Sequence, residues 1–282
     1  MRILVTGAGG QLGRDVCHVL LARGIEHMGT ISKQLDITNK DAVVNLLASY
    51  RPDGVIHCAA YTKVDQSEMN KAEAFAVNEA GTRNVAQACS NVGAKFLYLS
   101  TDYVFSGDKE EPYDTDDLKA PINVYGQSKA AGEEAAQASL SQHFIVRTSW
   151  AFGTGGDNFV KSMLRLAQKQ KEIAVVCDQL GSPTYTGHLA EVLCNMIQTE
   201  QYGVYHVTNE GECTWADFAK EIFRQTGQDI HIRPITSEEY AAPAKRPKNS
   251  RLSKRSMDKA GLLRLPTWQD ALTYYLNKTK TN

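Results

Sequence analysis

Little in this sequence runs to an extreme, and what is missing narrows the field. Net charge is almost absent: 31 Lys and Arg stand against 32 Asp and Glu, giving -1 over 282 residues. No global field therefore draws the chain to nucleic acid or to an anionic membrane surface. No apolar run approaches the roughly 18 residues of a membrane-spanning helix. The apolar stretch Ile3-Leu4-Val5 before the first glycines is too short for the core of a signal peptide. The cysteines, Cys17, Cys58, Cys89, Cys177, Cys194 and Cys213, are scattered with no CxxC pair. They read as reduced thiols of a cytoplasmic protein rather than a disulfide framework. The histidines show no metal-ligand spacing, so no metal site is assigned. Internal repeats and low-complexity segments are lacking as well.

What is present is ordinary in amount and informative in order. Hydrophobic residues make up 42% and charged residues 22%, and the length suits one large α/β unit or a cofactor domain with a smaller companion. Strand-like and helix-like segments alternate: Arg2–Thr6, then Gln11–Ala22 with Leu12, Val16, Val19 and Leu20 on one side. Thr38-Asn39-Lys40-Asp41 reads as a capping box opening a helix to Tyr50. Val55–Cys58 is a buried strand, 71–92 one long helix, 95–100 a strand, 124–138 a helix and 144–148 a strand. This order predicts right-handed βαβ units in a Rossmann-type, doubly wound parallel sheet over residues 1–150. Beyond Trp150 the pattern loosens through Gly153-Thr154-Gly155-Gly156-Asp157. Helices from Asn158, His188 and Thr214 and strands at 173–176 and 204–207 are expected. Residues 151–282 thus form a smaller, mainly substrate-binding region, some of whose elements return to the first sheet.

Gly7, Gly10 and Gly13 lie between the first strand and the first helix. Glycines there permit a tight turn, close approach of backbone to a pyrophosphate, and close packing of helix on sheet. The helix N-terminus offers free N–H groups and a partial positive charge to the same anion. Gly7, Gly10, Gln11, Leu12 and Gly13 are accordingly expected to hold a dinucleotide. The acidic residue that would bind the adenosine ribose of NAD is missing: the second strand runs out in Thr30-Ile31-Ser32-Lys33-Gln34. Lys33 facing a 2′-phosphate tilts the expectation to NADPH over NADH.

Tyr125 and Lys129 stand four residues apart, on one face of a helix. Tyr274 and Lys278 share the spacing, but Tyr125 lies in the alternating half, behind the loop Ala120-Pro121-Ile122-Asn123. A carbonyl reductase needs a proton for the oxygen once hydride has reached the carbon. A free tyrosine with a pKa near 10 is a poor match to neutral pH. Lowering it by about three units takes roughly 4 kcal/mol, which a lysine ammonium at about 4 Å in a partly desolvated site supplies.

With these residues and several further runs the sequence resembles the extended short-chain dehydrogenases/reductases, and most closely the dTDP-4-dehydrorhamnose reductases. The runs are Leu35-Asp36-Ile37-Thr38, Cys58-Ala59-Ala60-Tyr61-Thr62-Lys63-Val64-Asp65, Asn78, Leu99-Ser100-Thr101-Asp102-Tyr103-Val104-Phe105-Ser106-Gly107 and Arg147-Thr148-Ser149-Trp150. They continue with Asp178-Gln179-Leu180-Gly181-Ser182-Pro183-Thr184 and Ala244-Lys245-Arg246-Pro247-Lys248-Asn249-Ser250. The resemblance implies that Thr101 holds the substrate oxygen, Tyr125 donates the proton, and Lys129 lowers its pKa and grips the nicotinamide ribose. Asp36 and Ile37 would line the adenine, and Ala59, Ala60 and Tyr61 the cofactor path. Asn78 would support the cofactor side. Thr101, Asp102 and Tyr103 would meet the substrate, with Tyr103 and Trp150 flanking the sugar. It also implies a homodimer. Related 4,6-dehydratases carry an acidic pair after the threonine; here Tyr103 takes the second place, which disfavours dehydration. Some members use Mg²⁺, but no ligand can be matched to this chain.

Lys245, Arg246, Lys248, Arg251, Lys254 and Arg255 crowd one short stretch. Most read as a solvated charged face. Arg246, before a proline and with a planar fork, is expected to grip a substrate diphosphate. No aromatics interleave the run, which argues against nucleic acid. The expected activity is NADPH-dependent reduction of the 4-keto group of dTDP-4-dehydro-L-rhamnose. Two alternatives remain: a nucleotide-sugar epimerase with tightly held NAD, and a regulatory subunit like that of methionine adenosyltransferase.

Overall fold

The computed structural model describes residues 1–280. In chain order the first half gives β1 (Arg2–Thr6), α1 (Gln11–Ala22), β2 (Glu26–Thr30), α2 (Lys40–Tyr50), β3 (Gly54–His57), α3 (Val64–Ser67) and α4 (Lys71–Phe75). A π-helical stretch, Ala76–Gly81, leads into α5 (Thr82–Val92), followed by β4 (Lys95–Thr101), a 3₁₀ turn (Asp102–Val104), α6 (Val124–Ser139) and β5 (His143–Thr148). The later part contributes β6 (Ala151–Phe152), α7 (Phe159–Ala167), β7 (Glu172–Val176), β8 (Leu180–Gly181), β9 (Thr184–Tyr185), α8 (Thr186–Met196) and β10 (Gly203–His206). The last elements are β11 (Cys213–Thr214), α9 (Trp215–Thr226), β12 (His231–Ile235), α10 (Ser237–Tyr240), α11 (Arg255–Lys259) and α12 (Trp268–Lys280).

Six strands pair in parallel in the order β10-β5-β4-β3-β1-β2. Successive side chains of a strand point to opposite faces, and both faces here are covered. On one side Ile3, Val5, Ile56, Leu97, Phe144 and Val146 pack with Leu12 and Val16 of α1 and Leu189 and Leu193 of α8. On the other, Leu4, Val55, Phe96, Tyr98 and Ile145 pack against Val43 and Leu47 of α2, Val85 and Cys89 of α5 and Ala136 of α6. The expected doubly wound sheet is therefore present, and β10 and α8 return to it from beyond Trp150. A second core gathers Phe152, Val160, Ile173, Phe218, Ile222 and Leu272 from α7, β7, α9, α12 and their neighbours.

Three expectations need correction. Helix α2 is capped by Asn39, whose side chain accepts from the Ala42 N–H at 3.0 Å, rather than by a box on Thr38. The Thr38 hydroxyl is already committed to Asp36 Oδ1, at 2.8 Å. The long helix is not uniform, because Ala76–Gly81 widens to π-helical bonding around Asn78. The helix placed from His188 begins at Thr186. All six cysteines are free thiols. Among the described residues no helix is long and apolar enough to cross a membrane.

Strand order reverses between β1 and β3: the chain goes outward from β1 to β2, then back past β1 to β3. The crevice beyond the C-terminal ends of these two strands is where open α/β sheets bind ligands. The glycine loop after β1 and the segment Cys58–Tyr61 after β3 form its walls.

Candidate active site

The glycine loop is shaped by contacts that leave no room for side chains. Gly7 adopts φ +69, and a Cβ there would lie 2.6 Å from the Ala59 nitrogen, so loop and β3 exit touch backbone to backbone. A Cβ on Gly13 would meet the Gly7 carbonyl at 2.2 Å, which brings α1 hard against the turn. The N-cap of α1 is Gly10, with no side chain bonding to the first turn and no acidic residue in it. Its amides and partial positive charge are thus left to an anion, and the cradle fits a dinucleotide pyrophosphate. Leu12 is buried in the core behind the loop. Gln11 turns away from the loop: it donates to the Ala151 carbonyl at 3.2 Å and accepts from Asn158 at 2.9 Å, tying α1 to the second region.

The remaining residues of the expected cofactor path surround this cradle. Lys33 is exposed in the loop after β2. Asp36 is exposed and forms a local turn, accepting from the Thr38 N–H at 2.9 Å. Ile37 is buried, and a Cβ on Gly81 would strike it at 2.7 Å. Ala59, Ala60 and Tyr61 are half-buried. Asn78 clamps the backbone of Tyr61, accepting from its N–H at 2.8 Å and donating to its carbonyl at 3.0 Å, and donates to Ser128 Oγ at 2.9 Å. One amide therefore joins the cofactor path to the helix that carries Tyr125 and Lys129. Sequence reading passed over His57 behind it. Its Nδ1 lies 2.7 Å from Thr6 Oγ1, and burial, then the charge of Lys129, pull its pKa to about 3, so it is a neutral core imidazole.

Thr101 ends β4 and caps the 3₁₀ turn: its hydroxyl accepts from the Tyr103 N–H at 3.2 Å and donates to Asp102 Oδ1 at 2.9 Å. Helix α6 starts beside this turn. Asn123 caps it, accepting from the Gly126 N–H at 2.7 Å, and only glycine fits at 126, where a Cβ would sit 2.1 Å from the Tyr103 carbonyl. The rings of Tyr103 and Tyr125 meet edge to face at 6.0 Å. Thr101, Tyr103, Tyr125 and Lys129 are thereby drawn to one place at the C-terminal end of β4.

The electrostatics of the set depart from expectation. Lys129 does not depress Tyr125. Its ammonium donates to the Leu99 carbonyl at 2.6 Å and lies 4.1 Å above the Tyr98 ring. Enclosure raises the Tyr125 phenol above its ordinary range, the charge of Asp102 adds to this, and the Thr101 hydroxyl offsets part of it. Lys129 is itself pulled down to about 7 by burial, against the opposing pull of Glu133 and Cys58. Asp102 is only 2% exposed, and burial raises it to about 7 against the Ser250 and Thr101 hydroxyls.

Beneath this set lies an ion pair that the sequence did not suggest. Arg147 of β5 grips Glu133 of α6 in bidentate fashion, Nε to Oε1 at 2.8 Å and Nη2 to Oε2 at 2.7 Å, with side chains 4% and 1% exposed. Ser100, next to Thr101, donates to the same carboxylate at 2.6 Å. The one available signal was that Glu133 follows Lys129 by four residues on the same helix.

Arg246 is not a free cation. It forms a two-pronged pair with Asp65, both contacts 2.9 Å, and the Ala244 N–H adds a third contact to that carboxylate at 3.3 Å. Asp65 is held below its usual range by this guanidinium, which also faces Tyr103. The loop is tied down again where Asn123 donates to the Lys245 carbonyl at 2.8 Å. Nor is the rest of the basic stretch wholly a solvated face. Arg251 pairs with Glu212 at 2.9 Å with its side chain 18% exposed, and burial lowers Lys254. Trp150 follows β5 with a left-handed backbone, φ +47, and stacks on Trp215. Among the described residues no group of three or more His, Cys, Asp or Glu could hold a metal ion.

Sheet, loop and side chains together place the chain in the extended short-chain dehydrogenase/reductase class of Rossmann folds. Within that class it belongs to the RmlD substrate binding domain family, which it matches over residues 1–281. It is 41% identical over 277 residues to the spore coat polysaccharide biosynthesis protein SpsK of Bacillus subtilis, covering 98% of this chain and 97% of that one. It is 41% identical over 284 residues to the dTDP-4-dehydrorhamnose reductase of Aggregatibacter actinomycetemcomitans, covering 96% and 97%. A crystal structure of dTDP-4-dehydrorhamnose reductase from Bacillus anthracis in complex with NADP superposes with a TM-score of 0.96 at 44% identity, over 98% of this chain and 99% of that one.

Proposed function

We propose that this chain is an NADPH-dependent reductase that converts the 4-keto group of dTDP-4-dehydro-L-rhamnose to the alcohol of dTDP-L-rhamnose. The observation that carries the reading is the convergence of Thr101, Tyr125 and Lys129 beside the glycine cradle, in a chain 41% identical to a relative named for this reaction. A reductase acting as a cytoplasmic homodimer is the form this reading takes.

NADPH, when bound, supplies the hydride for the carbonyl carbon. The chain supplies the proton and the geometry. Tyr125, held protonated at neutral pH by its enclosed surroundings, gives its phenolic proton to the oxygen as negative charge develops there. The Thr101 hydroxyl, fixed by the Asp102 carboxyl and the Tyr103 amide, orients that oxygen. Lys129, anchored on the Leu99 carbonyl, holds the ribose end of the cofactor and leads a proton back to Tyr125. Lys33 and the uncapped start of α1 meet the phosphates. Arg246 and Tyr103 meet the sugar nucleotide on the opposite wall.

The test is NADPH consumption by the purified chain against a panel of 4-keto sugar nucleotides. Turnover with dTDP-4-dehydro-L-rhamnose and a 10²–10⁴-fold lower kcat for Tyr125→Phe are expected, with NADPH affinity nearly intact. A Phe variant keeping more than about a tenth of the rate would remove Tyr125 from the role. A protein purified with stoichiometric NAD and no NADPH turnover would point to an epimerase instead. Absence of both would point to the regulatory subunit.

A further inference from the structure

We propose that Trp215 and Gly181 are positioning residues for substrate selection. Together they sandwich the Trp150 indole and lock it in one orientation, so that its free edge meets the substrate as a preset boundary beside the methyl group of a 6-deoxy sugar. The proposal rests on the reading of Trp150 as a residue that flanks the sugar, and it adds the two groups that give that residue its shape.

Topology puts Trp150 near the reaction. Thr148, the last residue of β5, is the register partner of Thr101, and Trp150 follows two residues later at the same end of the sheet. Its backbone sits at φ +47, a region that side-chain-bearing residues keep only where their surroundings over-determine them. Three contacts do so. The Thr184 N–H donates to the Trp150 carbonyl at 3.2 Å. The indole lies on that of Trp215 with centroids 3.7 Å apart and planes 10° from parallel. A Cβ on residue 181 would stand 2.5 Å from Trp150 Cε2 and 2.8 Å from Nε1, so the ring occupies the space that any residue other than glycine would fill.

Trp215 is itself held. Its indole N–H donates to Gln179 Oε1 at 3.2 Å, Gln179 in turn donates to Ser237 Oγ at 2.9 Å, and Phe159 packs on the ring at 4.6 Å. A relay thus runs from the start of α10 through Gln179 and Trp215 to Trp150. With Trp215 on one face and the Gly181 backbone against the other, what Trp150 leaves uncovered is a rigid aromatic edge, against which a methyl group in place of a hydroxymethyl can pack. Because the ring is ordered before substrate arrives, none of the binding free energy goes into immobilising it.

The experiment compares Trp150→Ala, Trp215→Ala, Trp215→Phe and Gly181→Ala in the full chain. It reads KM and kcat for the 4-keto sugar nucleotide, NADPH affinity, and the near-ultraviolet circular dichroism of the stacked indoles. Trp215→Ala and Gly181→Ala are expected to raise KM by about 5- to 10-fold, the worth of one aromatic contact, with kcat and NADPH affinity within about twofold of wild type. The indole signal should collapse in the first and shift in the second. Trp215→Phe keeps a ring against Trp150 and should restore most of KM. If Trp150→Ala raises KM while Trp215→Ala and Gly181→Ala leave it unchanged despite an altered indole signal, the positioning role is overturned and the sugar-facing reading stands. If Trp150→Ala itself leaves KM unchanged, that reading fails and the proposal falls with it.

Discussion

Burial, more than any neighbouring charge, sets the protonation of Asp102, Tyr125 and Lys129. Tyr125 and Lys129 announced themselves by a four-residue spacing in the right half of the chain, and Thr101 by the run around it. Which charge acts on which proton depends on where a flexible ammonium ends up, and Lys129 ends up on the Leu99 carbonyl. Asp102, named only as a substrate contact, carries a strong pH signature of its own. Its folded carboxyl holds a proton up to about 7, against an ordinary value of 3.8, because burial penalises its charge. Between those values the folded chain binds a proton that the unfolded chain releases, so stability from this group is lost as pH climbs through the window and stays low above it. Asp102→Asn has nothing to ionise. Its Tm relative to wild type should therefore increase by roughly 3–6 °C between about pH 4 and pH 8, as read by thermal unfolding across that range. A Tm difference independent of pH would show that Asp102 titrates normally.

Elements were read well where burial repeats locally and poorly where partners come from far away. The parallel strands showed as short apolar runs because both of their faces are covered. The π-helical turn around Asn78 left no trace in an apolar period that continues across it. The pairing of Glu133 with Arg147 was hidden too, since the spacing of Glu133 from Lys129 and the run that begins at Arg147 do not show that α6 is laid across β5. Their pairing leaves two charges in a buried layer under Thr101, satisfied by each other, by Ser100, by the Thr115 carbonyl and, on the Glu133 side, by Lys119 at 3.5 Å. Removing one partner strands the other, which typically costs about 3–5 kcal/mol. Glu133→Gln is expected to lower the urea midpoint accordingly at an unchanged slope. A double replacement of both residues by apolar side chains should be markedly milder than Glu133→Gln. A single variant as stable as wild type would mean that solvent reaches the pair.

At the scale of the whole molecule, the two regions are stitched together more closely than their sequence order suggested. Gln11 reaches Ala151 and Asn158, Lys95 reaches the Thr199 carbonyl, and Arg246 reaches Asp65. The last of these alters what Arg246 can be expected to do, because its fork is already shared with a carboxylate. If it also grips the substrate diphosphate, Arg246→Ala should raise KM by about 10- to 150-fold, while Asp65→Ala, which spares the cation, should raise it several-fold less. NADPH affinity should change little in either variant, and steady-state kinetics with both substrates varied measures all four quantities. Equal KM values in the two variants would reduce Arg246 to a clasp between the regions.

The return of β10 to the edge of the main sheet also sets a timetable for biosynthesis. Arg147, in β5, and His206, in β10, lie side by side in the finished protein yet are separated by 59 residues of chain. At roughly 5–20 residues per second, a ribosome needs about 3–12 seconds to bridge that gap. Throughout it, the nascent β5, with Phe144, Ile145 and Val146 that are fully buried once folding is complete, has no neighbour on its outer side. Helix α8, which later covers one face of the same sheet, is also still being made. The polypeptide therefore passes through an interval in which a sticky, half-built sheet faces the crowded exit of the ribosome.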